Sequence, residues 1–328
     1  MSSLLPLIAG GAGIAGIVAA LVAWSAQVAR RVDRMVPPDG EIREVAGRRL
    51  HVRDIGQGPP IVMIHGLAGQ MRNFAAVAAQ LQAQHRIILI DRPGCGHSPG
   101  RGSDSLSDQA ALIAALIAEL GLDRPLIVGH SLGGAVAMAL ALNHADRIGG
   151  LALVAPLTQV QPEVPGAFRG LMIASPWVRA ALAHTLAIPM IRLRSAQSRD
   201  VLFAPELVHP AFEIAFGGAM LARPRAFYAA SSEMTAVNDA LAPLVVRYGE
   251  IGVPVRILFG AEDQVLAAPV HGTRTAAAIA GARCTIVRNA GHMLPVTQPD
   301  RVVAFIRDAC VVTAAPAGVR ARISEFAR

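Results

Sequence analysis

Lysine is missing from the 328 residues, so all 30 basic side chains are arginines. That absence excludes a phosphate-loop lysine, a Schiff-base lysine and a lysine general base. Charge is sparse at 16% and aromatic residues are fewer still, 13 rings in all. A net charge of +7 and a pI near 10.7 would draw polyanions. No basic run is interleaved with stacking rings, however, and no nucleic-acid partner is expected. Arg48 and Arg49 read as a solvated face, while Arg30, Arg31 and Arg34 suit a lipid headgroup layer. Cys95, Cys284 and Cys310 are odd in number and lack CxxC spacing, which excludes a disulfide framework and a zinc site. They read as small core residues, and no metal or cofactor is expected. What the chain has in abundance is apolar material: 53% of residues, with a mean hydropathy of +0.45. Intrinsic disorder is excluded and a large core assured.

No charged side chain precedes Arg30, and Leu4 to Trp24 gives 21 mostly apolar positions. As a helix that stretch crosses about 30 Å of hydrocarbon. A cleaved signal would start with a basic region and carry a shorter apolar stretch, although Ala23-Trp24-Ser25 offers a weak cleavage site. The expectation is therefore a retained single-pass anchor in a bacterial-type inner membrane; a removed signal and a helix packed on the soluble domain are the alternatives. Arginines follow the span and none precede it, which favours the cytoplasmic face for the rest of the chain. Gly11, Gly13 and Gly16 match GxGxxG, but Val32-Asp33-Arg34-Met35-Val36-Pro37-Pro38 is too charged and proline-broken for the buried strand that a dinucleotide unit needs. The glycines fit a lipid-spanning helix better.

The breaker cluster Pro37-Pro38-Asp39-Gly40 closes this anchor and linker, residues 1–38. Ile42 to Ala46 and Leu50 to Ile55 predict a hairpin turning at Gly47. Short unbroken apolar runs at 61–64, 87–90, 126–128, 151–154, 255–259 and 285–287 predict strands covered on both faces. Segments of helical length lie between them at 73–84, 106–120, 131–143 and about 270–280, and 301–310 ends the pattern as a helix. Eight strands alternating with helices predict a doubly wound, mostly parallel α/β sheet built from residues 39–156 and 249–310. Residues 157–248 interrupt the alternation with helical spacing and read as a cap. The basic, Ala-rich stretch 311–328 reads as a surface tail.

Gly129-His130-Ser131-Leu132-Gly133 is G-x-S-x-G between a predicted strand and a predicted helix. A serine on that sharp turn projects from the sheet edge, beside helix N–H groups that favour an oxyanion. Its hydroxyl needs a base, and the base an orienting acid. Of ten histidines, His292 lies in a loop after the last strand; Asp263 lies in the loop after Phe259, with Glu262 as nearest rival. His65-Gly66-Leu67 follows an early strand, and the N–H groups of Leu67 and Leu132 can form the oxyanion hole. His65 reads as a residue that orients its loop.

Together with Asp91-Arg92-Pro93-Gly94 and Gly96-His97-Ser98, these motifs resemble the α/β-hydrolase superfamily over about residues 42–310. The resemblance implies Ser131 as nucleophile, Asp263 as acid, His292 as base, and Leu67 and Leu132 as oxyanion donors. Haloalkane dehalogenases and epoxide hydrolases of that superfamily carry Asp at the elbow, which Ser131 argues against. The expected activity is carboxylic ester hydrolysis through an acyl-enzyme, on a small-molecule acyl substrate. Carbon–carbon bond hydrolysis and cofactor-free perhydrolysis use the same triad, and a non-catalytic binding protein is disfavoured by its presence. Leu171, Met172, Ile173, Trp177, Val178, Phe212, Ile214, Phe216, Met220, Phe227 and Met234 offer the cap either a lipophilic lining or simply its own core.

Overall fold

The computed structural model describes residues 4–100 and 105–314. The chain runs α1 (Leu4–Met35), β1 (Glu41–Val45), β2 (Arg48–Ile55), β3 (Pro60–Ile64), α2 (Ala75–Leu81), β4 (Arg86–Ile90), α3 (Leu106–Glu119), β5 (Leu126–His130), α4 (Leu132–Asn143) and β6 (Gly150–Val154). Then come α5 (Pro176–His184), α6 (Ala187–Phe203), α7 (Pro224–Val245), β7 (Val255–Gly260), α8 (Arg274–Ala278), β8 (Arg283–Val287), α9 (Leu294–Thr297) and α10 (Pro299–Ala314). The eight strands form one sheet in the order β1-β2-β4-β3-β5-β6-β7-β8. The pairs β1/β2 and β2/β4 are antiparallel and every later pair is parallel.

Alternation across each strand explains why the apolar runs are unbroken. Val62, Ile64, Ile88, Ile90, Ile127 and Leu153 join α3, α4 and α7 in one core. Ile61, Met63, Ile87, Leu89, Val128 and Val154 join α2 and α10 in the other. Both faces are covered, as a parallel sheet requires. The first hairpin turns at Ala46 and Gly47, both at positive φ, 49° and 74°, a conformation that glycine adopts without strain.

Three elements differ from their sequence expectations. The first turn expected at 73–84 is a 3-10 helix, Met71–Phe74, because Gln70 and Asn73 cap each other and Asn73 also donates to Phe216 O at 2.9 Å. Near residue 270 the helix opens with a π turn, Pro269–Thr273. The last helix continues to Ala314, into the stretch read as a tail, whose remainder lies outside the described residues.

Between β6 and β7 the chain forms α5 to α7 and their connections, the segment read as a cap. Its apolar residues divide between the two roles foreseen and a third, outward-facing one: Leu171, Ile173, Phe212, Phe227 and Met234 line a large cavity. Phe203, Phe212 and Phe216 are packed as core, while Trp177 is 86% exposed and Met172, Val178 and Ile214 also face outward.

The N-terminal helix divides in two. Gly13 to Ala20 is exposed throughout. From Ser25 onward it is docked: Val32 and Val36 pack on Met220, Asp33 bonds Arg223 Nη1 at 3.0 Å, and Val36 O accepts from His97 Nε2 at 2.9 Å. By length and composition the stretch Gly13–Met35 suffices to cross a membrane.

Candidate active site

Strand order reverses around β3, with β4 on one side and β5 on the other. Crevices at such reversals form beyond the carboxyl ends of the strands, and the motifs that carried the resemblance follow β3, β4, β5, β7 and β8 there. Ser131 follows β5 with φ 53° and ψ −121°, a strained conformation for a residue with a Cβ. It is held by its own N–H, which donates to Val154 O at 3.2 Å, and by its carbonyl, which accepts from Gly134 and Leu157 N–H. The turn leaves no room for neighbouring side chains. A Cβ on Gly133 would stand 2.1 Å from Ile64 O, and one on Gly129 would stand 2.8 Å from Gly134 Cα.

His292 donates from Nδ1 to Asp263 Oδ2 at 2.8 Å, both side chains being buried. That bond fixes the tautomer and leaves Nε2 as the acceptor nitrogen. Asp263 Oδ1 accepts from the N–H groups of Val265 and Leu266 at 2.8 and 2.9 Å. Burial would raise the Asp263 pKa, but His292 and those two donors outweigh it and hold the carboxyl below its ordinary range. The rival Glu262 turns away and accepts from Ala290 N–H. Ser131 and His292 line one cavity of about 1370 Å³. His130 ties their loops together: its Nε2 donates to His292 O at 3.0 Å, and the two rings are 5.0 Å apart. Burial, then the nearby His292, pushes its pKa down to about 3, so it is neutral there.

Leu67 and Leu132 line the same cavity. Leu132 opens α4, so its N–H has no partner within the helix. The loop of Leu67 lies against the serine, since a Cβ on Gly66 would stand 2.9 Å from Ser131 Cβ. His65 orients that loop as expected. Its Nδ1 donates to Gly66 O at 2.8 Å and its Nε2 accepts from Arg92 N–H at 3.0 Å, while burial above all lowers its pKa to about 3.

Three features escaped the sequence reading. Arg92 is wholly buried and donates to His65 O, Gly66 O, Gln109 and both oxygens of Glu233, a residue of α7 in the cap. Glu206 accepts from Gly291 N–H at 2.8 Å and from Thr297 and Gln298, gripping the loop of His292. Residues of α1 from Trp24 to Met35 line the cavity itself. These link positions far apart in sequence and leave no local signature. Asp91 has a separate structural task. It accepts from His51 Nδ1, Met71 N–H and His97 N–H, and its loop closes around Gly96.

Residues 59–299 match the model of a family described as alpha/beta hydrolase fold. An uncharacterised protein of Mycobacterium tuberculosis is 30% identical over 285 residues, 84% of this chain and 82% of that protein. A 2-hydroxy-6-oxononadienedioate/2-hydroxy-6-oxononatrienedioate hydrolase of Klebsiella pneumoniae is 27% identical, covering 74% of this chain and 84% of its own. Among solved structures, an alpha/beta hydrolase fold protein from Burkholderia ambifaria superposes with a TM-score of 0.70 at 25% identity, covering 82% and 97% of the two chains.

Proposed function

The chain belongs to the α/β-hydrolase fold family, and on that premise we propose that it is a serine hydrolase cleaving carboxylic esters of lipophilic acyl groups. One observation carries the reading: the Asp263–His292 hydrogen bond of 2.8 Å on the same cavity wall as a strained serine at a helix N-terminus. Ser131 Oγ forms a bond to the ester carbonyl carbon as its proton passes to His292 Nε2. Charge develops on the carbonyl oxygen, where the N–H groups of Leu67 and Leu132 receive it. Collapse of the adduct breaks the carbon–oxygen bond to the alcohol, which leaves with the proton from His292. A water then attacks the acyl carbon and gives its proton to His292 Nε2, which passes it to Ser131 Oγ as the acyl–Oγ bond breaks and the acid leaves.

The Klebsiella relative is named for a dienedioate substrate, which supports a carbon–carbon hydrolase as the second reading. Such a dianion needs cations close to the serine. The wall instead offers Leu157, Leu171, Phe227, Met234 and Met293, and the Glu233 carboxylate beside them is neutralised by Arg92, which favours an apolar acyl group. We read α1 as a retained anchor, because a cut at Ala23-Trp24-Ser25 would strip Trp24 from the cavity wall. The test is hydrolysis of p-nitrophenyl esters of increasing chain length by the full-length protein and by Ser131→Ala. Loss of turnover in the folded variant, with preference for longer chains in the parent, is the expected result. Undiminished turnover in S131A would overturn the reading.

A further inference from the structure

The cavity wall contains one continuous face of the N-terminal helix. Trp24, Gln27, Val28, Arg31, Val32 and Met35 recur at the three- and four-residue spacing that brings side chains to one side of a helix. Gly13 to Ala20, before this face, is exposed, whereas Ser25, Val32 and Val36 are buried, the two valines against Met220. The change from bare to docked falls at Trp24, the residue at the end of the apolar run. Leu4 to Trp24 spans about 31 Å as a helix, the thickness of the hydrocarbon layer. A tryptophan at that depth belongs to the headgroup region, where its ring is half apolar and half wet.

Across the cavity from this face stands α6. The Arg192 guanidinium lies 5.9 Å from the centre of the Trp24 ring, so the two helices meet at the level where lipid headgroups begin. Arg31, Arg192 and Arg194 are exposed and also belong to the wall that continues inward to Ser131 and His292. The rim carboxylate of Glu213 is engaged by Arg199. Asp33 is engaged by Arg223 on the side away from the wall. The outer end of the cavity is therefore cationic and amphipathic, its inner end apolar, and its volume exceeds the ~300–1,000 Å³ usual for small soluble ligands.

We propose that α1 is itself part of the substrate site: the cavity opens between α1 and α6 at the headgroup layer, and admits an acyl amphiphile with an anionic head that Arg31, Arg192 and Arg194 hold outside while the acyl ester reaches Ser131. The inference rests on the ester-hydrolase reading for its chemistry and on the anchor reading for its orientation. A substrate drawn from the bilayer need not cross water, and a head fixed by arginines sets how far its ester carbonyl extends inward.

The experiment uses the full-length protein reconstituted in phosphatidylcholine vesicles. Hydrolysis of lysophosphatidylglycerol is compared with that of a monoacylglycerol bearing the same chain, for the parent and for Arg192→Ala combined with Arg194→Ala. The parent is expected to favour the anionic substrate through a lower KM. The double variant should lose about fivefold of that preference per arginine removed, and the double lysine variant should recover most of it. Binding of the same two lipids to S131A, read by Trp24 fluorescence with Trp177→Phe as background, tests the site independently of turnover. Equal use and equal binding of the two lipids by the parent, or a preference untouched in the double alanine variant, overturns the inference and leaves the hydrolase reading standing. Selective binding without Ser131-dependent hydrolysis overturns the hydrolase reading and leaves the anionic site.

Discussion

Glu233→Ala removes the carboxylate opposite Arg92 in a pair whose side chains are 0% and 3% exposed. Burial works against the arginine's charge, yet Glu233 more than compensates and the guanidinium stays protonated. In the variant that charge cannot be shed. It retains His65 O, Gly66 O and Gln109 as partners but has lost its counter-ion. Breaking one side of a buried pair costs about 3–5 kcal/mol, which for a chain of this size lowers the melting temperature by about 4–7 °C. Because the same guanidinium fixes the carbonyls of His65 and Gly66, the Leu67 N–H should lose its aim. Loss of a single oxyanion donor costs up to about 10²–10³ in kcat, and a displaced one should cost at least about tenfold. Thermal unfolding by circular dichroism and p-nitrophenyl ester kinetics read the two effects separately. Arg92→Met with Glu233→Leu removes both charges and should recover most of the stability while kcat stays low. A single variant within about 1 kcal/mol of the parent with unchanged kcat, or a double variant no more stable than the single, would refute the reasoning.

Asp263→Asn should lower kcat on the same ester by about 10⁴-fold, since the amide cannot hold the His292 tautomer that donates from Nδ1; a loss below tenfold would count against the dyad. Gly133→Ala would set a Cβ 2.1 Å from Ile64 O and should destabilise by at least about 2 kcal/mol, a result that an unaltered melting curve would contradict. Stability should also fall on acidification. His65 and His130 are held at about 3 and His271 at about 4, each chiefly by burial, so the unfolded chain takes up protons near 6.5 that the folded chain refuses. Each of the three withdraws about 1.4 kcal/mol per pH unit as pH drops below 6.5, ending near 4 for His271 and near 3 for the others. Above 6.5 they contribute nothing, and a melting temperature that stays flat from neutral pH to about 5 would show that they are charged in the fold.

The sheet was legible because strands covered on both faces have no alternative to unbroken apolar runs, as in Ile61-Val62-Met63-Ile64. Ser131 was legible because its turn is written locally, in glycines whose neighbours leave no room for a Cβ. Placement of His292 and Asp263 needed only the order of strands. What could not be read is what joins the cap and the N-terminal helix to those loops. Arg92 meets Glu233 across 141 positions, and Glu206 reaches Gly291 across 85. Neither acid differs in its neighbourhood from one that faces water, since a side chain's partner at such separation is chosen by packing alone. The same holds for α1. Its composition shows that it is apolar, but only its contacts show that the half carrying Arg31 serves as a wall.

Glu206 and Glu233 stand at different points of the segment between β6 and β7, and each grips a different loop of the catalytic crevice. A hinged cover that swung clear would have to surrender both grips at once, disarming the histidine and the oxyanion cradle as it admitted its guest. Traffic is easier through a seam that breaks neither clasp. On the proposed route between α1 and α6 both clasps stay closed, so the rate at which substrate enters should be independent of the bonds that hold the two loops.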